Sequence, residues 1–177
     1  MGFASGARGQ IRLVPARSPV ASAPILRQVQ RLGLRRAEVF ARQTFRLERG
    51  GRPAGLLVSG RGMQVNARGS EQSTCFVAFV APGGTVSVVK TIGFDEWEAE
   101  SCVSVAGVGK VGAAALIAII YRAGSPNADV SEPVVLSLDD ANHRLTIDLQ
   151  ASRWASLAGA ATIEGVDRAL ARTQPVH

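Results

Sequence analysis

Acid is missing from the first third of this chain. Of 177 residues, none between Met1 and Ala37 is Asp or Glu, and residues 1 to 68 hold thirteen arginines against Glu38 and Glu48. The rest has the opposite sign: residues 69 to 177 carry seven Lys or Arg against twelve Asp or Glu. That asymmetry argues for a basic arm on an acidic domain rather than a uniformly basic protein, and it lets the two parts attract each other. Aromatic residues are also scarce, at 5%, so the core has to be built from Ala, Val, Leu and Ile. Long apolar runs are absent; the longest, Ala113 to Tyr121, is too short for a membrane-spanning helix. Arg8, Arg12 and Arg17 break up any secretory signal at the N-terminus, so a soluble protein is expected.

Nearly all the apolar runs lie between Thr74 and Leu149: CFVAFV, TVSVVK, CVSVAGV, AAALIAIIYRA, VVLSL and RLTIDL. Alternation of period two begins at Phe45 and Leu47, turns at Gly50 to Pro53, resumes at Leu56 to Val58, breaks again at Ser59 to Gly62, and continues through Met63 and Val65. Pro82 to Gly84 joins two β-rich runs into one hairpin. Asp139 to His143 joins a second, whose Asp and Asn residues suit a turn because they bond their own backbone. Trp154, Leu157, Ala158 and Ala161, then Ile163, Val166 and Leu170, have the spacing of short amphipathic helices. The expected fold is mainly β, an antiparallel sandwich or open barrel with short C-terminal helices, and the expected division is an arm over 1–43 and a β-rich domain over 44–177.

Within the arm, Pro24 suits the first position of a helix over Ile25 to Phe45. Its apolar residues would be Ile25, Val29, Leu32 and Phe40, with Arg27, Arg31 and Arg35 repeating every four residues on another face and Gly33 weakening it. Arg27, Arg31, Arg35, Arg36 and Arg42 are the candidate contacts to a polyanion or acidic partner, since the planar guanidinium takes phosphate or carboxylate in bidentate fashion. An acid-free, Arg-, Ser- and Ala-rich N-terminus also has the composition of an organellar transit peptide.

Gly107, Gly109 and Gly112 spell G-x-G-x-x-G in GVGKVG, after the β-rich CVSVA and before the Ala-rich AAALIAII. In that context the glycines would bring a pyrophosphate to a helix N-terminus, and Asp139 or Asp140, after VVLSL, would take the ribose hydroxyls. From Cys102 to Gln150, including DLQ at Asp148 to Gln150, the segment resembles the first βαβ unit of the NAD-dependent lactate and malate dehydrogenases. The resemblance implies a parallel α/β unit and a nucleotide cofactor. Length excludes the complete enzyme, because the long continuation with its arginine loop and catalytic histidine has no counterpart, and only His143 and His177 are present. The DDANH turn opposes the βαβ reading too, because it makes VVLSL half of an antiparallel hairpin.

Other constellations are weaker. Asp95, Glu96, Glu98 and Glu100 around Trp97 supply carboxylates but no calcium-loop pattern, so a solvated acidic face is expected. Cys75 with His143 and Asp139 or Asp140 contains the residue types of nucleophilic catalysis with nothing local to join them. Ser59 lacks the preceding glycine of a nucleophile elbow. Cys75 and Cys102 each begin an apolar strand; they are either bridged, implying an oxidising compartment, or two buried thiols. The favoured expectation is a non-catalytic binding or assembly protein without a cofactor, whose partner is a protein, a second copy, or nucleic acid held by the arm. The alternatives are a nucleotide-binding module and an exported, disulfide-bonded binding domain.

Overall fold

Alternating apolar residues close into nine strands, and helical spacing survives in three short helices, among the residues that the computed structural model describes: 10–16, 21–66, 68–93, 101–112, 116–125, 128–139 and 141–173. The first sheet comprises β1 (Ile11–Pro15), β2 (Arg35–Arg49), β3 (Arg52–Val65), β4 (Glu71–Val80) and β5 (Val86–Lys90), side by side in that order. The second comprises β6 (Ser101–Val111), β7 (Leu116–Gly124), β8 (Asp129–Asp139) and β9 (Arg144–Ile147), also in chain order. All neighbours pair antiparallel. The helices are α1 (Ala23–Arg31), α2 (Leu149–Leu157) and α3 (Ile163–Thr173). Turn chemistry explains the meander: Gly50 and Gly51 both take positive φ between Arg49 and Arg52, the backbone of a tight two-residue hairpin loop.

Strand alternation sorts the apolar residues into three layers. Leu47, Leu57, Cys75, Val77 and Phe79 of the first sheet meet Ile117, Ile119, Tyr121, Val134, Leu136 and Leu145 of the second in the sandwich interior. On the outer side of the first sheet, Val58, Phe76 and Ala78 are covered by Ile25 and Val29 of α1 and by Leu34. Beyond the second sheet, Ala118, Ile120 and Val135 are covered by α2 and α3. Strands such as β4 and β7 therefore read as unbroken apolar runs because helices cover the faces that water would otherwise take. Each large aliphatic side chain so buried contributes roughly 1.5–3 kcal/mol.

The structure corrects the N-terminal reading. Helix α1 stops at Arg31 instead of reaching Phe45, because Gly33 takes φ 84° and closes it. Gly33 N–H donates to the Gln30 carbonyl at 2.9 Å and Leu34 N–H to that of Val29 at 3.3 Å, while Leu34 is buried beside Val29. That is the Schellman arrangement, which needs a left-handed residue just past the helix. Arg35, Arg36 and Arg42 consequently lie on β2, and the boundary expected between residues 43 and 44 falls inside that strand. With β1 paired to β2 as well, residues 11–15 and 23–49 are parts of the sandwich and its cover rather than an arm.

Two further expectations change. The break at Ser59 to Gly62 does not occur; β3 runs through it, because a Cβ on Gly60 would strike the Glu38 carbonyl and the Phe76 ring. Close packing across the sheet, not a turn, accounts for that glycine. The βαβ alternative is replaced by a hairpin: β6 pairs with β7 from Ser101↔Gly124 to Val111↔Leu116, where a crossover helix would have separated parallel strands. The two hairpins expected at Pro82 to Gly84 and Asp139 to His143 are present as β4–β5 and β8–β9.

Candidate functional site

The arginines are presented by regular elements. Arg27 and Arg31, one turn apart, occupy the exposed side of α1, whose Ile25 and Val29 face the sheet. Arg46 follows strand parity: Leu47 points into the sandwich, so Arg46 emerges on the outer side, the side on which α1 lies. Arg12 of β1 shares that side and stands opposite Glu48 in the register. Arg42 is exposed where the β2–β3 register shifts between Val39 and Thr44. Among the described residues no ion pair engages Arg27, Arg31, Arg42 or Arg46.

The remaining arginines do different work. Arg36, at φ 47°, pairs with Glu71 of β4. Arg35 is exposed opposite Met63. Arg61 donates from Nε to Glu38 at 2.7 Å and from Nη1 to the Val103 carbonyl of β6 at 3.2 Å, with its guanidinium 5.9 Å from the Phe40 ring. It clasps the two sheets, a role that sequence alone hid because it depends on β6 lying beneath β3. The Arg27 to Arg31 interval was legible; the contribution of Arg46 was not, since it requires the strand parity of β2.

Gly107, Gly109 and Gly112 lie elsewhere, beneath α3. A Cβ on Gly109 would come within 2.6 Å of Ile163 Cγ2, whereas one on Gly107 would meet Ile163 at 3.7 Å. Gly112, at φ 64°, gives its N–H to Asp167 Oδ1 at 2.7 Å. The amide that a phosphate-binding turn would offer to its ligand is thus taken by a carboxylate of α3. Lys110, Gly112, Ile163, Glu164, Asp167 and Arg168 border an open hollow of about 640 Å³ there. Asp139, the candidate ribose acid, instead organises its own turn. It accepts from Asn142 Nδ2 at 2.7 Å and from the Ala141 and Asn142 amides, and these bonds, led by the Asn142 side chain and aided by Arg144, hold its carboxyl below the usual range. Asp140, the acidic segment 94–100, Arg8, Arg17 and His177 lie outside the described residues.

Cys75 on β4 and Cys102 on β6 form a disulfide with Cα atoms 5.2 Å apart, joining the two sheets across the interior. Cys75 is fully buried and has no thiol for His143 to activate, and His143 sits exposed in the β8–β9 turn. Nearby in the interior are buried hydroxyls. Tyr121 Oη and Thr91 Oγ1 lie close to each other without a well-directed hydrogen bond, and Ser59 Oγ is buried without one. Burial pushes the Tyr121 phenol well above its ordinary value, the Thr91 hydroxyl offsetting this in part. Among the described residues no group of three or more His, Cys, Asp or Glu is placed to hold a metal ion, and no helix is long and apolar enough to cross a membrane. No family model matches the chain, and comparison with curated proteins and with solved structures returned no match.

Proposed function

We propose that this chain is a non-catalytic binding protein whose arginine-bearing face engages a polyanionic surface of phosphates or carboxylates. The observation that carries the reading is the exposure of Arg27, Arg31, Arg42 and Arg46 without ion pairs among the described residues, on a helix and a strand whose other sides are packed. A fixed scaffold limits the entropy lost when the side chains dock, and the guanidinium fork suits both oxyanions. The test is retention on immobilised duplex DNA and on immobilised polyglutamate, comparing wild type with the Arg27→Glu, Arg31→Glu, Arg42→Glu, Arg46→Glu variant. The reading expects the variant to lose retention on at least one matrix while keeping its circular dichroism spectrum. Equal elution of the two proteins from both matrices would refute it.

A second reading has one observation in its favour. A disulfide persists in oxidising compartments, so the Cys75–Cys102 bridge supports a binding domain that works outside the reducing cytosol. Alkylation of unreduced protein taken from its native source tests it: no alkylated cysteine is expected, and two alkylated cysteines would contradict it.

A further inference from the structure

Acids are few on the side of the molecule that carries the arginines: β1 to β5 and α1 hold Glu38, Glu48 and Glu71 and no other carboxylate. Two of these are engaged within the sheet. Glu38 accepts from Arg61 Nε at 2.7 Å, and Glu71 pairs with Arg36. Glu48 is the third, and among the described residues it makes no hydrogen bond or ion pair. Its place is set by β1, because the β1–β2 register runs without a shift from Ile11↔Arg49 to Pro15↔Phe45 and puts Arg12 directly opposite Glu48. Leu13 and Leu47 pack toward the sandwich interior, which turns Arg12, Arg46 and Glu48 to the outer side. On that side α1 covers Val58, Phe76 and Ala78 of β3 and β4, while Arg12 and Arg46 stay exposed and Glu48 is partly buried.

Sheet geometry then fixes how these three charges act on a ligand. Directly opposite residues of an antiparallel pair have Cβ atoms about 4.5–5.5 Å apart, and diagonal ones about 7–8 Å. Arg12 is diagonal to Arg46, which faces Val14 in the register, so the two guanidinium groups can reach neighbouring oxyanions of one polymer. Glu48 lies opposite the first of them and next but one to the second along β2, well inside the ~10 Å Debye length of 0.1 M salt. To an approaching anion its charge cancels that of Arg12, whether or not the two side chains touch. Arg12 has the position of a fifth contact and, with Glu48 opposite, lacks the net charge for one.

We propose that Glu48 regulates the arginine face: by neutralising Arg12 it withholds a fifth oxyanion contact and so sets how tightly the face holds a polyanion. This rests on the polyanion-binding reading of Arg27, Arg31, Arg42 and Arg46. The test measures binding of the intact protein to duplex DNA and to polyglutamate over a range of salt, for wild type, Glu48→Gln and the double variant Arg12→Gln, Glu48→Gln. On DNA, Glu48→Gln should bind about tenfold tighter at ~50 mM salt, with a log–log salt slope steeper by about 1, the mark of one more phosphate contact. The double variant should return to the wild-type slope, because the gain belongs to Arg12. A merely structural role for Glu48 would move the melting temperature and leave the slope alone. Glu48→Thr, a residue suited to a strand, should repeat the gain if Glu48→Gln folds poorly. A gain on DNA alone assigns the contact to phosphate, and a gain on polyglutamate alone assigns it to carboxylate. Binding that Glu48→Gln and Glu48→Thr leave unchanged on both polymers, or a gain that survives intact in the double variant, would overturn the inference while sparing the arginine face. Absence of binding by every protein to either polymer would refute the face, and the inference with it.

Discussion

Gly107 and Gly109 show how a residue type can signal two chemistries. As a motif they suggest a pyrophosphate turn; in the fold, Gly109 is small because Ile163 of α3 rests on it. Gly109→Ala should cost about 1–3 kcal/mol in urea unfolding and regain much of it when combined with Ile163→Ala, whereas Gly107→Ala should change little. Equal costs at both positions would place the constraint somewhere other than that contact. Tyr121 makes the same point for burial. Because the fold holds its phenol neutral, its pKa is raised, so its contribution is intact below pH ~10 and shrinks as the unfolded phenol ionises above that. Tyr121→Phe should be neutral or stabilising by up to about 1 kcal/mol at pH 7, since the hydroxyl lacks a well-directed partner, and should flatten the alkaline decline. A variant as alkali-sensitive as wild type would assign that decline to other groups.

At the scale of elements, hairpins were legible and helix extents were not. The β4–β5 and β8–β9 turns announce themselves through Pro82 to Gly84 and Asp139 to His143, residues whose own chemistry makes the turn. Gly33 was visible too, but the four-residue recurrence of Arg27, Arg31 and Arg35 outweighed it. Periodicity counts side chains and cannot register a C-terminal cap that depends on Leu34 being buried. Gly33→Ala should therefore cost about 1 kcal/mol by thermal unfolding, through the left-handed backbone that Ala resists; no measurable cost would remove the cap from the account. Helix α2 was misjudged in orientation. Its large residues Trp154 and Leu157 are exposed and its small Ala151, Ser152 and Ala155 are buried, because it packs closely on β8, where Ser152 Oγ accepts from Val135 N–H at 2.8 Å. Spacing finds an apolar stripe; it does not reveal that small residues permit the closer approach.

For the whole molecule, the consequential difference from the sequence reading is that residues 11–15 and 23–49 of the basic N-terminal third belong to the sandwich and its cover. Its sign was plain from composition, but its integration was not, because β1 and β2 pair through backbone groups that every residue owns. Removing residues 1–43 would delete β1, α1 and most of β2 and bare Val58, Phe76 and Ala78 to water, so the remainder should show no cooperative thermal transition. A wild-type melt from that fragment would restore the detachable arm. The bridge between Cys75 and Cys102 ties the sheets together across a sequence separation of 27, and replacing both cysteines with serine should lower stability by about 3 kcal/mol. Loss of less than about 1 kcal/mol would mean that packing alone sets the spacing of the sheets.

The central claim, that a folded arginine face recognises polyanions, is tested most directly by the salt dependence of duplex DNA binding. Docking of the four arginines on about four phosphates releases their condensed counterions, so log affinity against log salt should fall with a slope near −4. Reversing Arg27, Arg31, Arg42 and Arg46 to Glu should bring the slope close to zero while leaving the far-UV spectrum unchanged. A wild-type slope near zero on duplex DNA and on polyglutamate alike, or a steep slope that survives the reversal, would contradict the account.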